Sequence, residues 1–193
     1  YSISEHELSE LVAQQRQSEG KRFDGTFLDY YDLVKGSPAI VETAHHRLYR
    51  AVLAHGVDDV DTQSDPRLNR LYGGRRKTIR HYRFFTEEFF GIDTVIMEIM
   101  EFLSAAASGG EESRQILYFV GPVGTGKTSL VDHLKDALEG SGPFFALGGC
   151  PLHEEPLRLV PDRLRPHLED RLGLRRGSIR GWPCPMCQWR LEH

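Results

Sequence analysis

The first third of the chain places apolar residues at helical spacing and predicts helices that pack on a neighbouring element. Ser4 has capping-box spacing to Glu7, so one helix is predicted to start there. A second helix is predicted from Ser37-Pro38, an N-cap followed by a first-turn proline, to a stop at Gly56. Its apolar stripe consists of Ile40, Val41, Ala44, Leu48 and Val52.

The middle of the chain changes from helical spacing to short apolar runs. Residues 57–65 are acidic, polar and weakly periodic, and they predict a linker. Asp93 then starts an amphipathic helix that ends at Gly109-Gly110. Residues 115–120 and 143–147 predict two buried strands with a helix between them. This order predicts an α/β fold with a parallel sheet, preceded by a helical N-terminal segment.

Composition excludes several classes of protein. The 193 residues carry a formal net charge of −4, which argues against bulk nucleic-acid binding. No apolar run approaches the roughly 20 residues of a membrane span and no signal peptide opens the chain, so a cytoplasmic protein is expected. Arginines alternate with aromatic residues over 66–85, as on nucleic-acid or phosphate surfaces. The acidic chain favours the alternative, a solvated turn around Tyr72-Gly73-Gly74.

A glycine-rich loop between the first predicted strand and its helix matches the pattern G-x-x-x-x-G-K-[ST] throughout. Backbone N–H groups can surround a triphosphate only where no Cβ intrudes, which explains the glycines. The lysine is expected to reach the β- and γ-phosphates, and the threonine hydroxyl to bind Mg²⁺. The predicted nucleotide-binding residues are Gly121, Pro122, Val123, Gly124, Thr125, Gly126, Lys127, Thr128 and Ser129, with Lys127 also catalytic and Thr128 the Mg²⁺ ligand.

A second element accompanies this loop. Gly91-Ile92 stands at the head of the helix that precedes the first predicted strand, about 25 residues before the loop. It resembles the element of AAA+ ATPases that covers the adenine ring with apolar side chains and backbone. The alternative is that Ile92 and Ile96 only contribute to the core.

The chain as a whole resembles the N-terminal part of the PrkA-type serine protein kinase family. The resemblance is carried by the stretches FDGTFLDYYDLV, DPRLNRLYGG, FFTEEFFGID, QILYFVGPVGTGKTSL, CPLHEEPLRLVP and CPMCQWRL, which span most of the chain. It implies an AAA+ P-loop NTPase fold, ATP as the nucleotide, and a bacterial cytoplasmic protein linked to phosphorylation of serine or threonine in protein substrates. A homo-oligomer is also expected.

The resemblance sets the expected domains. Residues 1–64 form a helical N-terminal segment and 65–193 the first part of an AAA+ ATP-binding domain, with a zinc-knuckle insertion over 148–193. The chain lacks a Walker B strand after Leu147, an H-R-D loop and a D-F-G triplet. It begins at Tyr1 and ends in Leu-Glu-His, natural sequence or a tag scar. We therefore interpret it as a fragment, with an incomplete sheet, that binds ATP but lacks full activity.

The three cysteines form the second candidate site. Cys184 and Cys187 are spaced as half of a zinc knuckle, and Cys150 with His153 has the same two-residue gap. These four side chains predict a closed, structural Zn²⁺ site, in which His193 is an alternative to His153. Inert buried thiols and a redox C-x-x-C pair are the other interpretations.

The charged residues around the cysteines carry weaker signals. Between the two cysteine pairs runs a basic stretch, interpreted as a solvated helical face or as a surface toward a neighbouring subunit or substrate. Glu154 and Glu155 are adjacent and diverge on either a helix or a strand, so they are not predicted to be paired catalytic carboxylates.

Three functions fit the sequence. The first is the ATP-binding part of a serine/threonine protein kinase. The second is an ATP-driven remodelling or protease-associated motor that transfers the γ-phosphate to water. The third is a regulatory module in which nucleotide and zinc only set a conformation.

Overall fold

A computed structural model describes residues 23–63, 66–72 and 78–193, without the side chains of Leu68 and Leu71. The helix predicted from Ser4 and the turn at Gly73-Gly74 lie outside these residues. The described chain divides into two compact units. The terminal unit comprises 23–41 with Phe144–His193, and the central unit is Glu42–Pro143.

The central unit contains an antiparallel hairpin where the sequence predicted a linker. Strand β1 (Val57–Asp61) pairs with β2 (Thr78–Tyr82) in a register that places Val57 opposite Tyr82 and Asp61 opposite Thr78. The linker prediction was wrong because cross-strand charge pairing compensates for the acidic sequence of β1. Asp58 accepts two hydrogen bonds from the Arg83 guanidinium at 2.6 and 2.7 Å, a bidentate pair.

The helices of the central unit largely follow the predicted pattern. The predicted helix from Ser37 to Gly56 is divided: a 3₁₀ turn covers Pro38–Val41, and α2 (Ala44–Leu53) starts only after its N-cap Thr43. Thr43 accepts a hydrogen bond from the His46 amide and so caps a new helix start, which interrupts the single helix that was predicted. Three further helices follow in the order α3 (Pro66–Tyr72), α4 (Asp93–Ala107) and α5 (Lys127–Glu139).

The core of the central unit is built on α4. Its buried side chains include Ile96, Ile99, Met100 and Leu103, whereas Val95 is 43 % exposed. The same cluster contains Leu130 and Leu134 of α5 and Phe85 of the turn after β2. The helix ends as predicted, because Gly109 adopts a left-handed φ of 77°.

Neither of the two predicted strands is formed in the structure. Residues 116–122 and 142–147 are irregular, and the strands assigned in the described residues are those of the β1–β2 hairpin. Ile116, Tyr118 and Val120 are 82–90 % exposed. A strand obtains its backbone hydrogen bonds from a neighbour, and no described strand lies beside this segment. The predicted parallel sheet is therefore not confirmed.

The terminal unit joins one early helix to the last fifty residues. Helix α1 (Phe27–Gly36) is closed by a capping box between Thr26 and Asp29, and it buries Tyr30 and Val34. These side chains pack against Leu157, Leu172 and Ile179. The later part holds α6 (Arg165–Leu172) and α7 (Pro185–Glu192), linked by turns. The predicted boundary after residue 64 falls inside the central unit, because β1 and β2 pair across it.

Two buried charged side chains fix the turns of the terminal unit. Arg165 donates to the carbonyls of Arg158, Val160 and Gly181 at 2.8–3.0 Å. Glu169 is 2 % exposed, and its two carboxylate oxygens accept from the amides of Gly177 and Ile179, each at 2.8 Å. These contacts satisfy backbone groups that the irregular 173–181 segment cannot pair by itself.

We expect Glu169→Ala to lower the free energy of unfolding by about 2–4 kcal/mol, because it leaves two partly or fully buried amides unpaired. Asp170→Ala is the matched control, since it removes only an exposed ion pair with Arg176 and should have little effect. Urea unfolding followed by circular dichroism measures both variants. Equal stability of the two variants would contradict the role given to Glu169.

Candidate functional site

The glycine-rich loop of the central unit turns into α5 through two left-handed glycines. Gly124 has φ 84° and Gly126 has φ 74°, conformations that cost an L residue about 1–2 kcal/mol. An added Cβ at Gly121 would stand 3.4 Å from the Thr125 hydroxyl and 3.8 Å from the Lys127 Nζ. The glycine positions of the motif therefore match the backbone that the loop adopts.

The first turn of α5 is left open toward the loop. Gly126 is the N-cap residue, and no side chain accepts from the first amides of the helix. Thr128 and Ser129 lie in this turn and are exposed. Uncapped amides and the positive end of the helix dipole together favour a bound anion. The residues present thus fit a polyphosphate, and Thr128 is placed where its hydroxyl is accessible to Mg²⁺.

Lys127 folds back across the loop. Its Nζ donates to the carbonyls of Gly121 at 2.9 Å and Pro122 at 2.5 Å, and to the Thr125 hydroxyl at 3.0 Å. Thr125 in turn donates to the Pro122 carbonyl at 3.0 Å. The cationic group is thus held against the loop by neutral acceptors, which a phosphate can replace with a stronger, charge-assisted bond.

Phe89, two residues before Gly91-Ile92, lies beside this loop. Gly91 has a left-handed φ of 73°, and Ile92 packs against the core cluster at the start of α4. Just before it, the Phe89 ring comes within 3.9 Å of a Cβ placed on Gly126. The structure therefore brings Phe89 to the loop, while Ile92 belongs to the core cluster. It also supports the core role of Ile96, which is buried.

Asp93 anchors the head of α4. Its carboxylate accepts from the Tyr72 hydroxyl of α3 and pairs with His81 Nδ1 of β2 at 2.8 Å. Burial, followed by this hydrogen bond, raises the pKa of Tyr72 to about 12. The phenol consequently stays a donor at neutral pH, and three elements converge on the residue that follows Gly91-Ile92.

His133 links α5 to the segment before Gly91. Its Nε2 lies 2.9 Å from the Phe84 carbonyl, and its ring packs on Phe84, Phe85 and Phe89 with centroids 4.1–5.9 Å apart. Its position six residues after Lys127, with Phe84, Phe85 and Phe89 earlier in the chain, gave no periodic signal. Only the fold brings them together.

The cysteines of the terminal unit meet as predicted. Cys150, Cys184 and Cys187 are 3–6 % exposed, unbridged, and clustered beside Leu147. The fourth side chain of the cluster is Glu154 and not the predicted His153.

His153 has a left-handed φ of 49° and is exposed, so the chain turns its neighbour Glu154 toward the thiols. His193, the other predicted alternative, stacks on Trp189 and is exposed. Zinc binding by His153 or His193 therefore stays a prediction. The fourth residue that the structure places beside the thiols is Glu154.

The charges of this cluster are set by backbone amides and burial. The Glu154 amide lowers the pKa of the Cys150 thiol, and the Cys184 amide lowers that of the Glu154 carboxyl. Burial raises the pKa of Cys187 to about 12. Glu155 points elsewhere and accepts a 2.8 Å hydrogen bond from the Tyr30 hydroxyl. The two glutamates therefore diverge, as expected.

The chain is a P-loop NTPase domain of the AAA class. A model of the PrkA AAA domain matches residues 25–193, and the chain belongs to this family.

Named relatives of the chain differ in their stated activity. An "ATP-dependent protease PrkA" of Bacillus subtilis is 31 % identical over 191 residues, which cover 96 % of this chain and 27 % of the relative. A "Serine/threonine kinase YeaG" of Escherichia coli K12 is 37 % identical over 138 residues, 69 % of this chain and 21 % of the relative. A "Lon protease" of Syntrophus aciditrophicus is 37 % identical over 73 residues, 38 % of this chain and 9 % of the relative.

The chain thus spans about a quarter of the length of the first two relatives. No solved structure matches it significantly. No helix in the described ranges is long and apolar enough to cross a membrane.

We expect His133→Ala to weaken Mg-ATP binding about two- to tenfold, because Phe89 loses its ring partner beside Gly126. Asp132→Ala, an exposed change one residue earlier on α5, should leave affinity unchanged. Isothermal titration calorimetry gives the two dissociation constants, and circular dichroism verifies that both variants are folded. Unaltered affinity in His133→Ala would show that this packing does not support the site.

Proposed function

We propose that this chain is the Mg-ATP-binding portion of a PrkA-type serine/threonine protein kinase. The observation that carries the proposal is the glycine-rich loop, with two left-handed glycines, uncapped α5 amides and Lys127 hydrogen-bonded across the loop. Bound Mg-ATP supplies a γ-phosphoryl group for transfer. The chain's own residues bind and orient it: the loop amides and Lys127 contact phosphate oxygens, and the Thr128 hydroxyl is the Mg²⁺ ligand.

ATP is the preferred nucleotide because of the segment beside the loop. Gly91-Ile92 follows Phe89, whose ring lies 3.9 Å from a Cβ placed on Gly126, and Ile92 packs on the core cluster. A flat apolar surface suits the adenine ring, and backbone groups can pair its amino edge. Because the chain spans 21–27 % of the first two relatives, phosphoryl transfer to a protein is proposed for the full-length protein.

The parallel sheet of the P-loop fold is part of this proposal. The exposed apolar row at Ile116, Tyr118 and Val120 has the composition of a buried strand. We assign it as the strand before the loop, which pairs with strands of the longer protein. The proposal further includes a cytoplasmic location, protein substrates that present serine or threonine, and a homo-oligomer.

A second function is favoured by the names of two relatives. The Bacillus subtilis protein is named an ATP-dependent protease, and a shorter stretch matches a Lon protease. In that case the same loop serves a motor, and the γ-phosphoryl group goes to water. The binding residues are the same in both functions, so only the fate of the phosphoryl group distinguishes them.

Nucleotide binding is tested with the chain itself. Lys127→Ala should weaken Mg-ATP binding about ten- to hundredfold, because it removes a charge-assisted contact. Lys135→Ala changes the same residue type on the same helix, where the ammonium is 3.7 Å from Glu139 and exposed. It should bind as the unchanged chain does. If Lys127→Ala retained full affinity in calorimetry, the loop would not be the ATP site.

The acceptor is tested with the natural full-length protein, γ-labelled ATP and a serine-rich protein. We expect label on the acceptor protein, lost in Lys127→Ala and retained in Lys135→Ala. Label found only in free phosphate, again dependent on Lys127, would establish the motor and reject the kinase.

A further inference from the structure

The cysteine cluster of the terminal unit lies outside the nucleotide loop and takes no part in the function proposed above. We propose that Cys150, Glu154, Cys184 and Cys187 form a structural site for a thiophilic divalent cation, Zn²⁺, with Glu154 as the oxygen ligand. The four ligand atoms lie within 4.8 Å of one another, and all four residues are buried.

The spacing of these atoms matches a tetrahedral zinc site. With Zn–S bonds of about 2.3 Å, two thiolate ligands stand about 3.8 Å apart. The Cys150 and Cys184 sulfurs are separated by 3.8 Å, too far for a disulfide and at the edge length of such a tetrahedron. The Glu154 Oε2 atom is 3.8 Å from the Cys150 sulfur, close to the roughly 3.6 Å expected for one sulfur and one oxygen ligand.

Backbone amides already orient two of the ligands. The Cys187 amide donates to the Cys184 sulfur at 3.4 Å, since Cys184 is the N-cap of α7. The Cys184 amide donates to both Glu154 oxygens, at 2.9 and 3.0 Å. Each carboxylate oxygen has two lone pairs, so Oε2, which lies beside the Cys150 sulfur, keeps a lone pair that the Cys184 amide does not use. Contacts of this kind fix ligand orientation around a metal.

The loop that carries Cys150 and Glu154 is closed independently of any metal. The Leu147 amide donates to the Glu154 carbonyl at 2.8 Å, and the Cys150 amide to the Leu147 carbonyl at 3.1 Å. Arg190 of α7 reaches the Gly148 carbonyl at 3.3 Å and so joins this loop to the helix that carries Cys187. The ligands are therefore presented by two short segments that are held together.

Charge and coordination define the class of site. Three thiolates and one carboxylate give the site two net negative charges with Zn²⁺ bound, and Arg158 Nη1 lies 3.7 Å from Glu154 Oε1 to offset part of them. All four tetrahedral positions are filled by protein, which leaves no position for a substrate or water. The metal would hold the loop 147–154 against α7 and take no part in phosphoryl transfer.

The test measures zinc in the purified chain by mass spectrometry of the metal. We expect about one zinc per chain, and near zero in Cys184→Ser and Cys187→Ser. The chelated and reloaded protein should bind Co²⁺ with a thiolate charge-transfer band in the near ultraviolet. A folded chain that holds neither zinc nor Co²⁺ would overturn the proposal, as would an intramolecular disulfide detected by alkylation under native and unfolding conditions.

A matched pair of neighbours identifies the fourth ligand. Glu154→Ala should weaken Co²⁺ binding at least about tenfold, whereas His153→Ala should leave affinity and spectrum unchanged. The reverse result, or equal affinity in both variants, would remove Glu154 from the ligand set. Since a cysteine variant can fail to fold, the unchanged chain provides a second measurement: its three thiols should resist alkylation with zinc bound and react after chelation.

Discussion

The proposed nucleotide site depends on one backbone constraint, namely that peptide N–H groups can surround a phosphate only without interference from side chains. At the entry to α5 this is met by glycines that take left-handed φ values where other residues are strained. Lys127, the one cation of the motif, folds back onto this loop. Both proposed nucleotide functions, kinase and motor, depend on this turn.

The helical and loop parts of the site were readable from sequence because their signals are local. Alternating glycines, a capping residue or an apolar stripe report on residues within a few positions. The start of α4 at Asp93 and its end at Gly109 were predicted correctly for this reason. The ring contacts of His133 and the convergence of Tyr72 and His81 on Asp93 were not, because they join residues distant in sequence.

The wrong linker prediction and the unconfirmed sheet have equally physical causes. Strand β1 was taken for a linker because its acids are unfavourable in isolation, and their partners, such as Arg83, come more than twenty residues later. The expected parallel sheet needs neighbouring strands to form its hydrogen bonds, and residues 116–120 have none in the described chain. At the cysteine site the spacing predicted three of the four clustered residues. The fourth is Glu154, because the backbone at His153 is left-handed and turns the following side chain toward the thiols.

The discontinuity of the terminal unit has a consequence for how the protein is made. Its core joins Tyr30 and Val34 of α1 to Leu157, Leu172 and Ile179, and the whole central unit lies between them in sequence. During synthesis α1 therefore leaves the ribosome long before its partners exist. The central unit has all its segments earlier and can fold first. Helix α1 can bury Tyr30 and Val34 in this core only after residues 157–179 have been synthesised.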